Sequence, residues 1–61
     1  MKKKIGDTVL RIKYIASRNV HLLEVSMNNG KNYQTIDSFG SKEEATEYFD
    51  KMAKHFEEEA E

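Results

Sequence analysis

Between positions 41 and 56, apolar residues recur at the spacing of one face of an α-helix. The apolar stripe consists of Ala45, Tyr48, Phe49, Met52, Ala53 and Phe56. These positions follow the i, i+3, i+4, i+7 series that aligns side chains on a helix. Ser41 and Glu44 have the spacing of a capping box, which marks a helix start. The pattern predicts an amphipathic helix over residues 41–58, whose apolar side must cover another part of the fold.

Three earlier segments show the two-residue alternation of half-buried β-strands. The predicted strands are residues 8–16, 20–27 and 31–39. Ser17, Arg18 and Asn19 supply turn chemistry between the first two. The third strand is polar and short of β-branched residues, which is typical of an edge strand. The sequence therefore predicts an α+β fold of order β-β-β-α, in which a three-stranded antiparallel meander packs one face against the C-terminal helix.

The turn at residues 28–30 decides which side chains of the third strand face the helix. A two-residue loop would pair Val25 with Gln34 and turn the third strand's aromatic residues away from the core. A three-residue loop with Gly30 in the left-handed conformation would instead pair Val25 with Tyr33. The same register pairs Leu23 with Thr35 and His21 with Asp37. We choose this register because one face then collects the apolar residues of all three strands.

A single small domain over residues 1–61 follows from this arrangement. Residues 1–7 lack periodicity and are expected to form a flexible basic arm. The sheet side of the predicted core consists of Leu10, Ile12, Tyr14, Leu23, Val25, Met27, Tyr33 and Phe39. Its helix side consists of Ala45, Tyr48, Phe49, Met52 and Phe56.

Composition and charge narrow the class of protein. The chain has no cysteine and no long apolar run, and the lysines at 2–4 are not followed by the apolar core of a signal peptide. We therefore expect a cytoplasmic protein with no membrane partner. The net charge of −1 conceals a division: residues 1–35 carry +5 and residues 36–61 carry −6. A basic first half can bind phosphate, whereas an acidic helix is suited to a basic partner.

Few residues suggest catalytic or metal chemistry. His55 has only acidic side chains nearby as co-ligands, which is too few convergent nitrogen ligands for a transition-metal site. His21 is expected opposite Asp37 as a cross-strand pair at the rim of the sheet. No Gly-rich phosphate loop, Ser/His/Asp arrangement or cysteine nucleophile is present in the sequence. We predict a non-enzymatic protein with no catalytic residues, metal or cofactor.

The sheet face away from the helix is the most informative predicted surface. It mixes cations with the apolar residues Val9, Ile15, Val20, Leu22 and Ile36. Such an apolar content suits an interface. Alternatively, these residues are scattered among polar neighbours, with Arg11 and Glu24 forming an exposed cross-strand ion pair.

The basic strands, the turn and the helix start together resemble the arm-type DNA-binding domain of tyrosine-recombinase integrases from phages and conjugative elements. The matching residues are Gly30, Lys31, Phe39, Ser41, Lys42, Glu44 and Ala45. Members of that family are β-β-β-α domains that lay their sheet in the DNA major groove. The resemblance therefore implies double-stranded DNA as partner, and it implicates Arg11, Lys13, Arg18, Lys31, Asn32 and Gln34. Lys2, Lys3 and Lys4 would add phosphate contacts.

A second hypothesis belongs to another class of function. The chain would be a small protein-binding or inhibitory protein of the kind that phages encode, acting on a host protein or forming a homodimer. Its anchors would be Val9, Ile15, Val20, Leu22 and Ile36 on the sheet. The acidic helix face, formed by Glu43, Glu47, Asp50, Glu57 and Glu58, is the alternative docking surface.

Overall fold

A computed structural model describes residues 1–59 of the chain. The elements are β1 (Lys2–Ile5), β2 (Thr8–Ile15), β3 (Val20–Ser26), β4 (Gln34–Phe39) and α1 (Lys42–Glu59). The strands form one antiparallel sheet in the order β1-β2-β3-β4, and α1 packs against all four strands. The predicted α+β class and C-terminal helix are confirmed, but the sheet has four strands instead of three.

The additional strand comes from the segment that was expected to be a flexible arm. Lys2–Ile5 pairs with β2 through a two-residue turn at Gly6 and Asp7, with Ile5 opposite Thr8. Gly6 has a φ of 61°, a conformation that tight hairpins demand and glycine adopts without strain. Ile5 packs against the core. With one apolar residue the segment shows no periodicity, so its strand depends mainly on backbone pairing.

The pairing of β2 with β3 agrees with the sequence. Arg11 lies opposite Glu24, as a four-residue connection predicts. Asn19 in this connection has a φ of 52°, which asparagine tolerates better than most residues. The hydroxyl of Tyr14 donates a hydrogen bond of 2.8 Å to Oδ1 of Asn19. The side chain at the end of β2 thereby closes the turn.

The predicted register of β4 is wrong. The observed partners are Val25 with Gln34, Glu24 with Thr35, Leu23 with Asp37 and His21 with Phe39. They replace the expected pairs of Val25 with Tyr33, Leu23 with Thr35 and His21 with Asp37. Next to the loop, the pairs of Gln34 and Thr35 have the register expected for a two-residue loop. Ile36 has no partner on β3 and forms a β-bulge, after which the register shifts by one residue. Because of this shift, Phe39 faces the helix.

The predicted start of the helix is confirmed. The backbone N–H of Glu44 donates to Oγ of Ser41 at 3.2 Å. The Glu44 carboxylate accepts from the Ser41 hydroxyl at 3.4 Å, where the usual capping box would use the Ser41 backbone N–H. Glu43 and Glu44 in the first turn also suit the positive end of the helix dipole.

The core lies between α1 and the centre of the sheet. Leu10, Leu23, Phe49 and Ala53 are buried there, flanked by Ile5, Ile12, Val25, Phe39, Met52 and Phe56. Several predicted core residues lie elsewhere. Met27 is 67% exposed and Tyr14 is 51% exposed, because the helix does not cover them. Tyr48, on α1 itself, packs against the ring of Phe39 at the edge strand and is 40% exposed. Tyr33 lies on the opposite side of the sheet, where its ring contacts Arg11. Within residues 1–59, no helix is both long and apolar enough to cross a membrane.

Candidate functional site

The sheet side away from α1, here called the open face, gathers cations from two adjacent strands. Cross-strand partners share a face, so the pairing of Lys2 with Arg11 and of Lys4 with Val9 places both lysines beside the cations of β2. Lys13 lies two residues beyond Arg11 on the same side of β2. Lys2 and Lys4, which were expected in a flexible arm, are therefore fixed next to the cations of β2.

Lys3 lies on the other side of the sheet. It pairs with Leu10, which faces the helix, and its ammonium group forms an ion pair with Glu57 of α1. Lys3 is therefore directed away from the open face. Because side chains alternate along β1, Lys2 and Lys4 lie on the open face and Lys3 lies on the helix side.

An ion pair occupies the middle of the open face. Nε of Arg11 donates to Oε1 of Glu24 at 2.7 Å, and the hydroxyl of Thr35 donates to Oε2 at 3.3 Å. Cζ of Arg11 lies 3.5 Å from the centroid of the Tyr33 ring. Glu24 is only 9% exposed. Of the pair expected at an exposed position, Glu24 is thus nearly buried, whereas Arg11 is partly exposed beside the Tyr33 ring that stacks on it.

The loop between β3 and β4 supplies this ring and covers one end of the open face. The hydroxyl of Ser26 accepts hydrogen bonds from the backbone N–H groups of Gly30 at 2.8 Å and Asn28 at 3.3 Å. The same hydroxyl donates to Oδ1 of Asn28 at 2.8 Å. Oδ1 of Asn28 also accepts from the backbone N–H of Asn32 at 2.9 Å. Ser26 and Val9, which face each other at this end of the sheet, are buried. Val9 is therefore not an accessible anchor for a partner.

The other predicted DNA-contacting residues are dispersed. Lys31 and Asn32 are exposed in the loop that carries Tyr33, and Arg18 is exposed in the connection between β2 and β3. Gln34 pairs with Val25, whose side chain packs against the core, so Gln34 lies on the helix side of the sheet. Its expected place on the open face is wrong, and the shifted register is the reason.

The far end of the open face is apolar. Ile15 pairs with Val20, and Leu22 pairs with Lys13; the three apolar residues are partly exposed. Ile36, the extra residue of the bulge, is 39% exposed at the neighbouring edge strand. The open face therefore has a basic half along β1 and β2 and an apolar half near the connection between β2 and β3.

The histidines lie apart from the open face. The ring of His21 is 4.7 Å from that of Tyr14, centroid to centroid, and both rings line an open groove of about 330 Å³ beside the start of α1. Nε2 of His55 lies 3.2 Å from a carboxylate oxygen of Glu59. Within the described residues, no group of three or more His, Asp or Glu side chains is arranged to hold a metal ion.

Three residues of the open face were not expected there from the sequence. Tyr33 was assigned to the core, although the rejected two-residue register would have directed it outward. Lys2 and Lys4 were assigned to a mobile arm. The signal for their strand was Gly6-Asp7 directly after Ile5, a turn dipeptide of the kind that joins two paired strands.

Scans of protein-family models, curated proteins and solved structures found no match to this chain. The resemblance to integrase arm-type domains therefore rests on the motif residues alone.

Proposed function

We propose that this chain is a small, non-enzymatic DNA-binding module that uses the basic half of its open face. The observation that carries the proposal is the pairing of β1 with β2, which brings Lys2 and Lys4 beside Arg11 and Lys13. The charge of Arg11 is balanced by Glu24, so among the residues that the structure describes, Lys2, Lys4 and Lys13 are the cations of this half that have no acidic partner on the open face. Three such ammonium groups on adjacent strands suit a polyanion as ligand.

The distribution of the acids supports the same partner. On the open face the carboxylate of Glu24 is neutralised by Arg11, whereas α1, on the other side of the sheet, carries most of the acidic residues. A polyanion approaching the molecule would therefore be attracted to one side and repelled from the other. As the resemblance implies, the module would belong to a phage or other mobile element and would act in the cytoplasm.

The test compares two neighbouring lysines on opposite sides of the sheet. In titrations of a short labelled duplex and of its separate strands, Lys4→Ala should weaken binding and reduce the slope of log affinity against log salt by about 1. Lys3→Ala removes the same charge from the helix side and should leave the slope unchanged. If the wild-type protein binds neither DNA form at low salt and tens of micromolar protein, the proposal is wrong.

A second candidate function is supported by the apolar half of the open face. Leu22 is partly exposed there and Ile36 lies nearby at the edge, so this half could dock a host protein or a second copy of the chain. Light scattering of the wild-type protein should then report a dimer, or a pull-down should recover a partner. Leu22→Lys with Ile36→Lys should abolish that association, and an unchanged profile would exclude this role.

A further inference from the structure

We infer that Tyr33 is a stacking platform for an unpaired nucleobase, so that the open face binds single-stranded DNA. This inference rests on the proposed function and narrows it to one form of the nucleic acid. The ring of Tyr33 was expected in the core. It lies instead on the open face, against the guanidinium of Arg11, whose cross-strand partner on β1 is Lys2.

The ring is held from two sides. One face of the ring lies against the guanidinium of Arg11, at 3.5 Å from Cζ to the centroid. That guanidinium is itself fixed by the 2.7 Å bond to Glu24. The hydroxyl lies beside Gly30, 3.4 Å from where a Cβ on that residue would be. Tyr33 remains partly exposed. Because Arg11 covers one face of the ring, a base would have to stack on the other face.

Lysines on β1, β2 and the loop would bind the phosphates of a single strand whose base stacks on this platform. Lys2 lies opposite Arg11 on β1, Lys13 follows on β2, and Lys31 lies two residues before Tyr33 in the loop. An aromatic ring flanked by basic side chains is the arrangement by which proteins hold single strands with little sequence preference. A base within a duplex is already stacked and paired, so it cannot lie on Tyr33 without being flipped out.

The experiment uses the full chain with labelled oligothymidylate and a labelled duplex of equal length. Tyr33→Leu should weaken binding of the single strand about tenfold or more, as expected for the loss of one base–aromatic stack. Tyr33→Phe keeps the ring and should bind within about twofold of the wild type, because stacking does not require the hydroxyl. Tyr14→Leu removes a more exposed tyrosine from the helix side of the sheet and should have no effect on binding.

A measurement on the wild-type protein covers the case in which Tyr33→Leu disturbs the loop. Stacking of a thymine on Tyr33 should shift the NMR resonances of its ring protons upfield, while those of Tyr14 and Tyr48 stay in place. If duplex and single strand bind equally and the Tyr33 resonances do not move, the inference is overturned while the proposed function stands. If neither DNA form binds, the proposed function itself fails.

Discussion

Side chains on the two faces of the sheet are buried by different interactions. On the helix side, Leu10 and Leu23 are buried beneath Phe49 and Ala53 of α1, so burial depends on apolar packing. On the open face, Glu24 is buried beside its ion-pair partner Arg11, and the loop between β3 and β4 places the ring of Tyr33 on that guanidinium. Apolar packing tolerates imprecise geometry, whereas a buried charge requires a partner at hydrogen-bond distance. The two faces should therefore respond differently to mutation.

The largest effect is expected from adjacent leucines that point to opposite faces. Leu23→Ala should lower the free energy of unfolding by about 3 kcal/mol, because it creates a cavity under α1. Leu22→Ala, on the partly exposed side, should cost about 1 kcal/mol. Urea denaturation followed by circular dichroism measures both values. Equal costs would mean that the assignment of the two faces is wrong.

This difference also explains how much of the fold could be predicted. The helix side follows from the spacing of Leu10, Ile12, Leu23 and Phe49, and hydrophobic periodicity is the strongest signal in a sequence. The register of β4 could not be obtained in this way. Periodicity demanded that Tyr33 and Phe39 share a face, but the bulge at Ile36 allows them to lie on opposite faces. A bulge inserts one residue and changes parity without any compositional mark at that position.

An intermediate effect is expected on the open face. Arg11→Met leaves the Glu24 carboxylate nearly buried with only the hydroxyl of Thr35 as partner. We expect a loss of about 2 kcal/mol, below the 3–5 kcal/mol of a fully buried pair because Arg11 is partly exposed. The double variant Arg11→Met, Glu24→Met should be less destabilised than the single variant Arg11→Met. If the loss of the double variant equals the sum of the two single losses, the ion pair contributes nothing to stability.

The candidate site was less predictable than the core. The cross-strand pairing of Arg11 with Glu24 followed from the length of one connection, and it is confirmed. Its burial was not foreseen, because the cover is a loop whose path depends on hydrogen bonds of Ser26 and Asn28. Local polar contacts of this kind leave only a turn-type composition in the sequence.

The smallest effect is expected from substitutions at Gly30 and Gly40, which differ in backbone conformation and in the space available for a Cβ. Gly30 has a φ of 86°, and an added Cβ would lie 3.4 Å from the hydroxyl of Tyr33. Gly30→Ala should therefore cost about 1 kcal/mol and loosen the loop over Arg11. Gly40 precedes α1 without a positive φ, and a Cβ there would meet nothing within 4 Å. Gly40→Ala should be close to neutral in thermal unfolding. If Gly30→Ala is as stable as Gly40→Ala, the conformation of the loop contributes little to the burial of Glu24. The contrast between the two faces would then depend on the ion pair alone.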